Sequence, residues 1–193
     1  MRRTFLILAL LVSAIALGPA RVSAATITVP GGPITATSVG SVSVIKGATA
    51  IQKNVTLTGT VSNAVYAGVT LGVTTILPIG SITSGTCTSI TAGWVSFCSL
   101  FPWPISARIT GTNTAELRIL RLGPLIRSTD GSVQCLISAD VTGTYDRTTG
   151  LFVVTGTTTN SEARLVDGAC PLGTISIRAT LRVSPTVIWQ LLP

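Results

Sequence analysis

The sequence predicts an all-β protein: a single antiparallel β-sandwich or open β-barrel of about eight to ten strands, after an N-terminal signal peptide. Three observations predict it. Apolar and polar residues alternate with a period of two in several stretches, turns containing glycine, proline or aspartate separate those stretches, and no segment after the leader carries a convincing helical stripe.

The leader comes first. Arg2 and Arg3 precede an apolar run from Phe5 to Leu17, Gly18 and Pro19 break it, and Val22-Ser23-Ala24 has the small-residue pattern of a cleavage site. A membrane-spanning helix needs roughly 20 apolar residues, more than this run holds. Residues 1–24 therefore read as a signal peptide and residues 25–193 as one disulfide-stapled domain, with 25–33 a loose lead-in around Pro30-Gly31-Gly32-Pro33. The expected route is Sec; Arg2-Arg3-Thr4-Phe5-Leu6 also fits the core of the twin-arginine motif. The mature chain is expected to be secreted or held at the cell envelope.

The strands follow. Between 54 and 63, Val55, Leu57, Gly59 and Val61 share one face against Thr56, Thr58, Thr60 and Ser62. The stretch 115–122 reads as a bulged strand, with two helical turns between Thr114 and Gly123-Pro124 as the alternative. It feeds a hairpin at Asp130-Gly131. Between 133 and 145, Val133, Cys135, Ile137, Ala139, Val141 and Tyr145 form the inward set, with Asp140 among the outward residues. Tyr145 to Leu151 is a second hairpin, turned by a left-handed Gly150. Between 175 and 183 the alternation is strict, placing Arg178 and Arg182 outward. A Thr-Gly-Thr echo at Gly59, Gly111, Gly143 and Gly156 has unequal spacing, and marks bends within strands rather than a repeat. The apolar stretch 183–192 reads as a last strand.

Composition excludes several functions. There is no histidine, so Ser-His-Asp and Cys-His chemistry and histidine acid–base catalysis are ruled out. Six carboxylates remain (Glu116, Asp130, Asp140, Asp146, Glu162, Asp167), and nothing singles out a catalytic pair. Neither metal ligands nor a cofactor motif stand out. Without the leader, ten basic and six acidic residues leave a mild positive charge, without the basic clusters of a nucleic-acid binder. The function expected is a non-catalytic extracellular or envelope binding or structural module; the alternatives are a secreted carboxylate hydrolase of glycosidase type and a small outer-membrane barrel. Anionic envelope polymers or carbohydrate are the expected partners, with no nucleic acid and no stable membrane insertion.

The candidate binding residues fall in two groups. Trp94, Phe101 and Trp103 form either an aromatic platform for sugars or apolar partners, or part of the core beside a disulfide. Arg108, Arg178 and Arg182, on outward faces, form either an anion-attracting patch or a merely solvated surface. Four cysteines in an exported chain imply two disulfides, and of three connectivities Cys87–Cys98 with Cys135–Cys170 is preferred, because Cys87 and Cys98 can close a local loop.

The set Cys87, Trp94, Cys98, Phe101-Pro102-Trp103-Pro104-Ile105, Ser132-Val133-Gln134-Cys135 and Thr142-Gly143-Thr144-Tyr145 resembles one found in secreted, β-rich actinobacterial proteins of no assigned function. The resemblance spans roughly residues 54–184 and implies an extracellular or envelope location and a β-sandwich-like domain. It brings no active site with it.

Overall fold

The computed structural model describes residues 25–46, 49–70, 75–91, 93–99, 101–136, 138–158, 164–167 and 175–192. The expected signal peptide, 1–24, lies outside them. In chain order the strands are β1 (Ala25–Val29), β2 (Gly32–Ser38), β3 (Val42–Lys46), β4 (Thr49–Lys53), β5 (Thr56–Val61) and β6 (Ala64–Val69). There follow β7 (Leu77–Thr86), β8 (Ser89–Thr91), β9 (Trp94–Ser99), β10 (Trp103–Ile109), β11 (Thr114–Ser128) and β12 (Gln134–Leu136). The last six are β13 (Ala139–Asp146), β14 (Leu151–Thr158), β15 (Arg164–Asp167), β16 (Ile175–Arg178), β17 (Thr180–Ser184) and β18 (Gln190–Leu192). No helix occurs among the described residues.

Eight strands form a ring in the order β10-β7-β5-β2-β17-β14-β13-β11, and every neighbouring pair is antiparallel. The barrel is closed rather than open, because β10 and β11 pair from Ile105↔Ile119 to Ile109↔Ala115. Closure leaves the ring no unpaired edge. The alternation does what it predicts: Val55, Leu57 and Val61 are buried and Thr58 and Thr60 exposed. Two of the Thr-Gly-Thr echoes sit where the register shifts, between Thr58 and Gly59 and between Thr142 and Gly143. At Gly59 a Cβ would collide with the Ser81 carbonyl of β7, so only glycine lets those strands approach.

The stretch 115–122 is strand, as preferred. β11 runs through it with a register shift between Ile119 and Leu122, where Arg121 takes a left-handed φ of 55°. The bend carries β11 out of the barrel, and residues 123–128 pair with β9 while 125–127 pair with β12. A side sheet, extended by β8 and β15, thus grows from the same strand. Two three-stranded sheets, β18-β1-β6 and β16-β3-β4, complete the fold. Their apolar residues continue the barrel core: Val29 and Trp189 meet it at one end, Val42, Val44 and Ile177 at the other. The lead-in 25–33 is therefore not loose. It is mostly β1, with Ile27 fully buried and Val29 nearly so, because its apolar side chains close the barrel end.

Tyr145 ties the C-terminal segment to the barrel. Its ring is buried, and its hydroxyl accepts the Val187 N–H at 2.9 Å. Burial pushes its pKa above the ordinary tyrosine value. Next in sequence, the Arg147 guanidinium donates to the Trp189 carbonyl and to Asn113 Oδ1, and lies 5.3 Å from the Trp189 ring centre.

Both expected hairpins are present. Asp146 accepts the Thr148 N–H at 2.7 Å, and Gly150 has φ 68°. Asp130 accepts from the Ser132 N–H at 3.0 Å and from the hydroxyls of Ser128 and Ser132, and Gly131 has φ 77°. Those hydrogen bonds, led by Ser128, lower the Asp130 carboxyl from 3.8 to about 2.

Cys87 and Cys98 are bonded, with Cα atoms 5.5 Å apart, as the local-loop spacing predicts. Cys135 is fully buried and also disulfide-bonded; Cys170, its expected partner, lies outside the described residues.

Tyr145→Phe orphans the Val187 N–H and is expected to cost about 1–3 kcal/mol in urea unfolding. Replacing Cys87 and Cys98 together by serine is expected to cost about 2–4 kcal/mol in the same assay. Asp130 has a depressed folded pKa, so its contribution is present above the ordinary carboxyl value of 3.8 and lost as pH falls toward about 2. Wild type is therefore expected to be more stable than Asp130→Asn at pH 5, with the gap in melting temperature closing between pH 4 and pH 2.

Candidate functional site

The first place to look is inside the barrel. Eight strands enclose an interior that side chains can fill or that can hold one small ligand. Here side chains fill it. Among the described residues, two cavities of about 50 and 60 Å³ lie there, bordered by apolar and sulfur-bearing side chains and by Tyr145. Leu57, Ile119, Phe152 and Leu181 form the layer between them. Ligand pockets typically hold about 300–1,000 Å³, so neither void is a binding chamber as it stands.

Of the two readings of the aromatic segment, the exposed platform is not assembled. Trp103 is 1% exposed and points into the barrel in phase with Ile105 and Ala107. Phe101 stacks on it with ring centres 4.4 Å apart, and both Phe101 and Trp94 are half-buried against the core. The alternative reading, aromatics in the core beside the Cys87–Cys98 bridge, is the one realised, because the inward phase of β10 includes Trp103.

Nor do the three arginines form one patch. β10 and β17 are four strands apart in either direction around an eight-strand ring, so Arg108 and Arg182 lie on opposite sides. Arg182 is exposed on β17, and Arg178 is exposed on β16, which leads into it. Arg178 borders a depression on the outer wall. β14 pairs with β17 across 151–153 and then diverges; beyond that the Val154 N–H donates to the Ala179 carbonyl at 2.9 Å and the Thr157 hydroxyl accepts the Ile177 N–H at 3.1 Å. The divergence opens a shallow groove of about 750 Å³ lined by Ser41, Ser43, Thr155, Ser176 and Arg178.

A second depression lies on the opposite wall, across β10, β11 and β13. Cross-strand register puts Ser106 opposite Arg118 and Arg118 opposite Thr142, with Arg108 opposite Glu116 in the next row. Arg108 pairs with Glu116. Arg118 pairs with Asp140 at 2.7 Å, and the Arg121 N–H donates to the same carboxylate at 3.0 Å. The outward position of Asp140 is thus as expected, but the arginine covers it and leaves it 5% exposed.

Ser106, Arg108, Glu116, Arg118 and Thr142, with Ile76, line a cleft of about 260 Å³. Ser106 Oγ, Arg108 Nε and Arg118 Nε are buried there without hydrogen-bond partners among the described residues. An unsatisfied buried polar group costs about 1–3 kcal/mol, so three in one cleft call for an explanation. Sequence reasoning singled out Arg108 and missed Ser106 and Arg118. Arg118 is legible as an outward residue of its strand, but only the β10–β11 pairing brings it over Ser106.

Four carboxylate side chains are described, and each is engaged. Asp130 and Asp146 hold turns, and Glu116 and Asp140 hold arginines. Glu116 is opposite Thr144 and Asp140 is four residues back along β13, roughly 13 Å at about 3.3 Å per residue. Two carboxyls working across a glycosidic bond stand about 5–10 Å apart.

The model of the family described as Alkane oxidation protein activator PraA/PraB-like matches residues 1–189. Neither a curated protein nor a solved structure matches the chain. Matched over nearly its full length, the chain belongs to the PraA/PraB-like family.

Proposed function

We propose that the mature chain is an exported, non-catalytic accessory module that works from the outer wall of its barrel. One observation carries this reading: a filled apolar interior beneath a polar outer wall. The inward residues are Val, Ile, Leu, Trp and Phe, while Thr58, Thr60, Arg108, Glu116, Arg118 and Arg182 face outward. An outer-membrane barrel has the opposite arrangement, with an apolar band toward lipid and a polar lumen. The engaged carboxylates favour binding over hydrolysis, and the lone arginine beside hydroxyl-rich walls suits polar envelope material.

The family description links its members to activating alkane oxidation, which fits an assistant to an enzyme rather than the enzyme itself. An alkane carrier would need an interior chamber several times larger than the voids present. The outer wall is thus the surface through which this chain assists.

Fractionation of the native host tests export and surface action together. The protein is expected in culture fluid or a salt wash, beginning at Ala25; release by detergent alone would overturn the reading. Purified mature protein incubated with labelled n-hexadecane and re-isolated is expected to retain far less than one alkane per chain. Stoichiometric retention would make it a carrier.

A further inference from the structure

We propose that the cleft across β10, β11 and β13 binds a single neutral sugar ring through Ser106, Arg108 and Arg118. The inference rests on the outer wall being the working surface and names the ligand class of one site on it. Five buried side-chain polar atoms lack partners among the described residues, and three of them belong to this cleft. Ser106 is 7% exposed, and its hydroxyl makes no hydrogen bond among the described residues. The two Nε–H groups are donors left over after each guanidinium has engaged a carboxylate through its terminal nitrogen.

Charge selects among ligands. Arg108 is neutralised by Glu116 and Arg118 by Asp140, so the site has no net charge to hold a free anion or cation. It offers fixed donors, an acceptor in the Glu116 carboxylate, a Ser106 hydroxyl that can donate and accept, and a Thr142 hydroxyl that donates to the Gly156 carbonyl at 3.3 Å and is left to accept. Vicinal hydroxyls of a sugar match that set, since each can accept from Nε–H while donating to a carboxylate or hydroxyl. Ile76, 54% exposed at the rim, supplies the apolar contact that the C–H face of a pyranose needs. At about 260 Å³ the cleft suits one ring, below the usual span of drug-sized pockets.

The test uses the purified mature protein and the arginine Nε–H signals in ¹⁵N NMR, assigned with Arg108→Lys and Arg118→Lys. Glucose, galactose, mannose and rhamnose are titrated separately, alongside inorganic phosphate and acetate. At least one sugar is expected to move both Nε–H signals saturably. Ser106→Ala should weaken that sugar about fivefold, the worth of one neutral hydrogen bond, without lowering the melting temperature. If phosphate or acetate alone moves the signals, the site is an anion site and the inference fails. If no probe moves them, water alone fills the cleft and the inference also fails. Alkane uptake would instead register at the indole N–H of Trp103 inside the barrel, so failure of the surface-working reading appears on a different signal.

Discussion

The fold depends on the closure of the ring by β11. Its first half is hydrogen-bonded on one side to β10 and on the other to β13. Without the β10 ladder, two strands would present open edges and the apolar faces of eight would lose their enclosure. The same strand leaves the ring at Arg121 and nucleates the side sheet with β9 and β12. Barrel closure, the disulfide-bearing side sheet and the polar wall of Glu116 and Arg118 therefore share one segment of chain. A local distortion there would reach all three.

Enclosure also explains why the ends need covers. A barrel filled with apolar side chains exposes them at both mouths unless other elements pack there. At one mouth β1, β6 and β18 close over Val29 and Trp189, held by the Tyr145 hydroxyl on Val187 and by Arg147 on the Trp189 carbonyl. At the other, Val42, Val44 and Ile177 pack above Phe152 beside the Cys87–Cys98 bridge. The covers leave little interior space among the described residues. The outer wall carries polar residues in cross-strand rows, one of which forms where β11 brings Arg118 between Ser106 and Thr142.

The barrel strands were legible because each has one face in a dry core and the other toward solvent, a difference that a period of two records directly. Val55, Leu57 and Val61 show it, as do Leu181 and Val183. The hairpins at Asp130-Gly131 and Asp146 to Gly150 were legible for a related reason, because their φ angles and side-chain hydrogen bonds are local. The lead-in 25–33 was not, since the brief alternation of Ala25, Ile27 and Val29 with Thr26 and Thr28 shows nothing of the mouth it covers.

What the sequence by itself determined is the all-β class, the phase of most strands, both turns, the Cys87–Cys98 loop and the exclusion of histidine chemistry. Apart from the lack of histidine, which is a matter of composition, these depend on residues near one another along the chain. Tertiary structure alone decided that the sheet closes, that Trp103 belongs to the core, that Arg108 and Arg182 stand on opposite walls, and that Ser106 and Arg118 meet. These depend on which strands become neighbours. Periodicity reports which face a residue occupies but carries no information about the partner strand, because every antiparallel partner offers the same backbone hydrogen bonds.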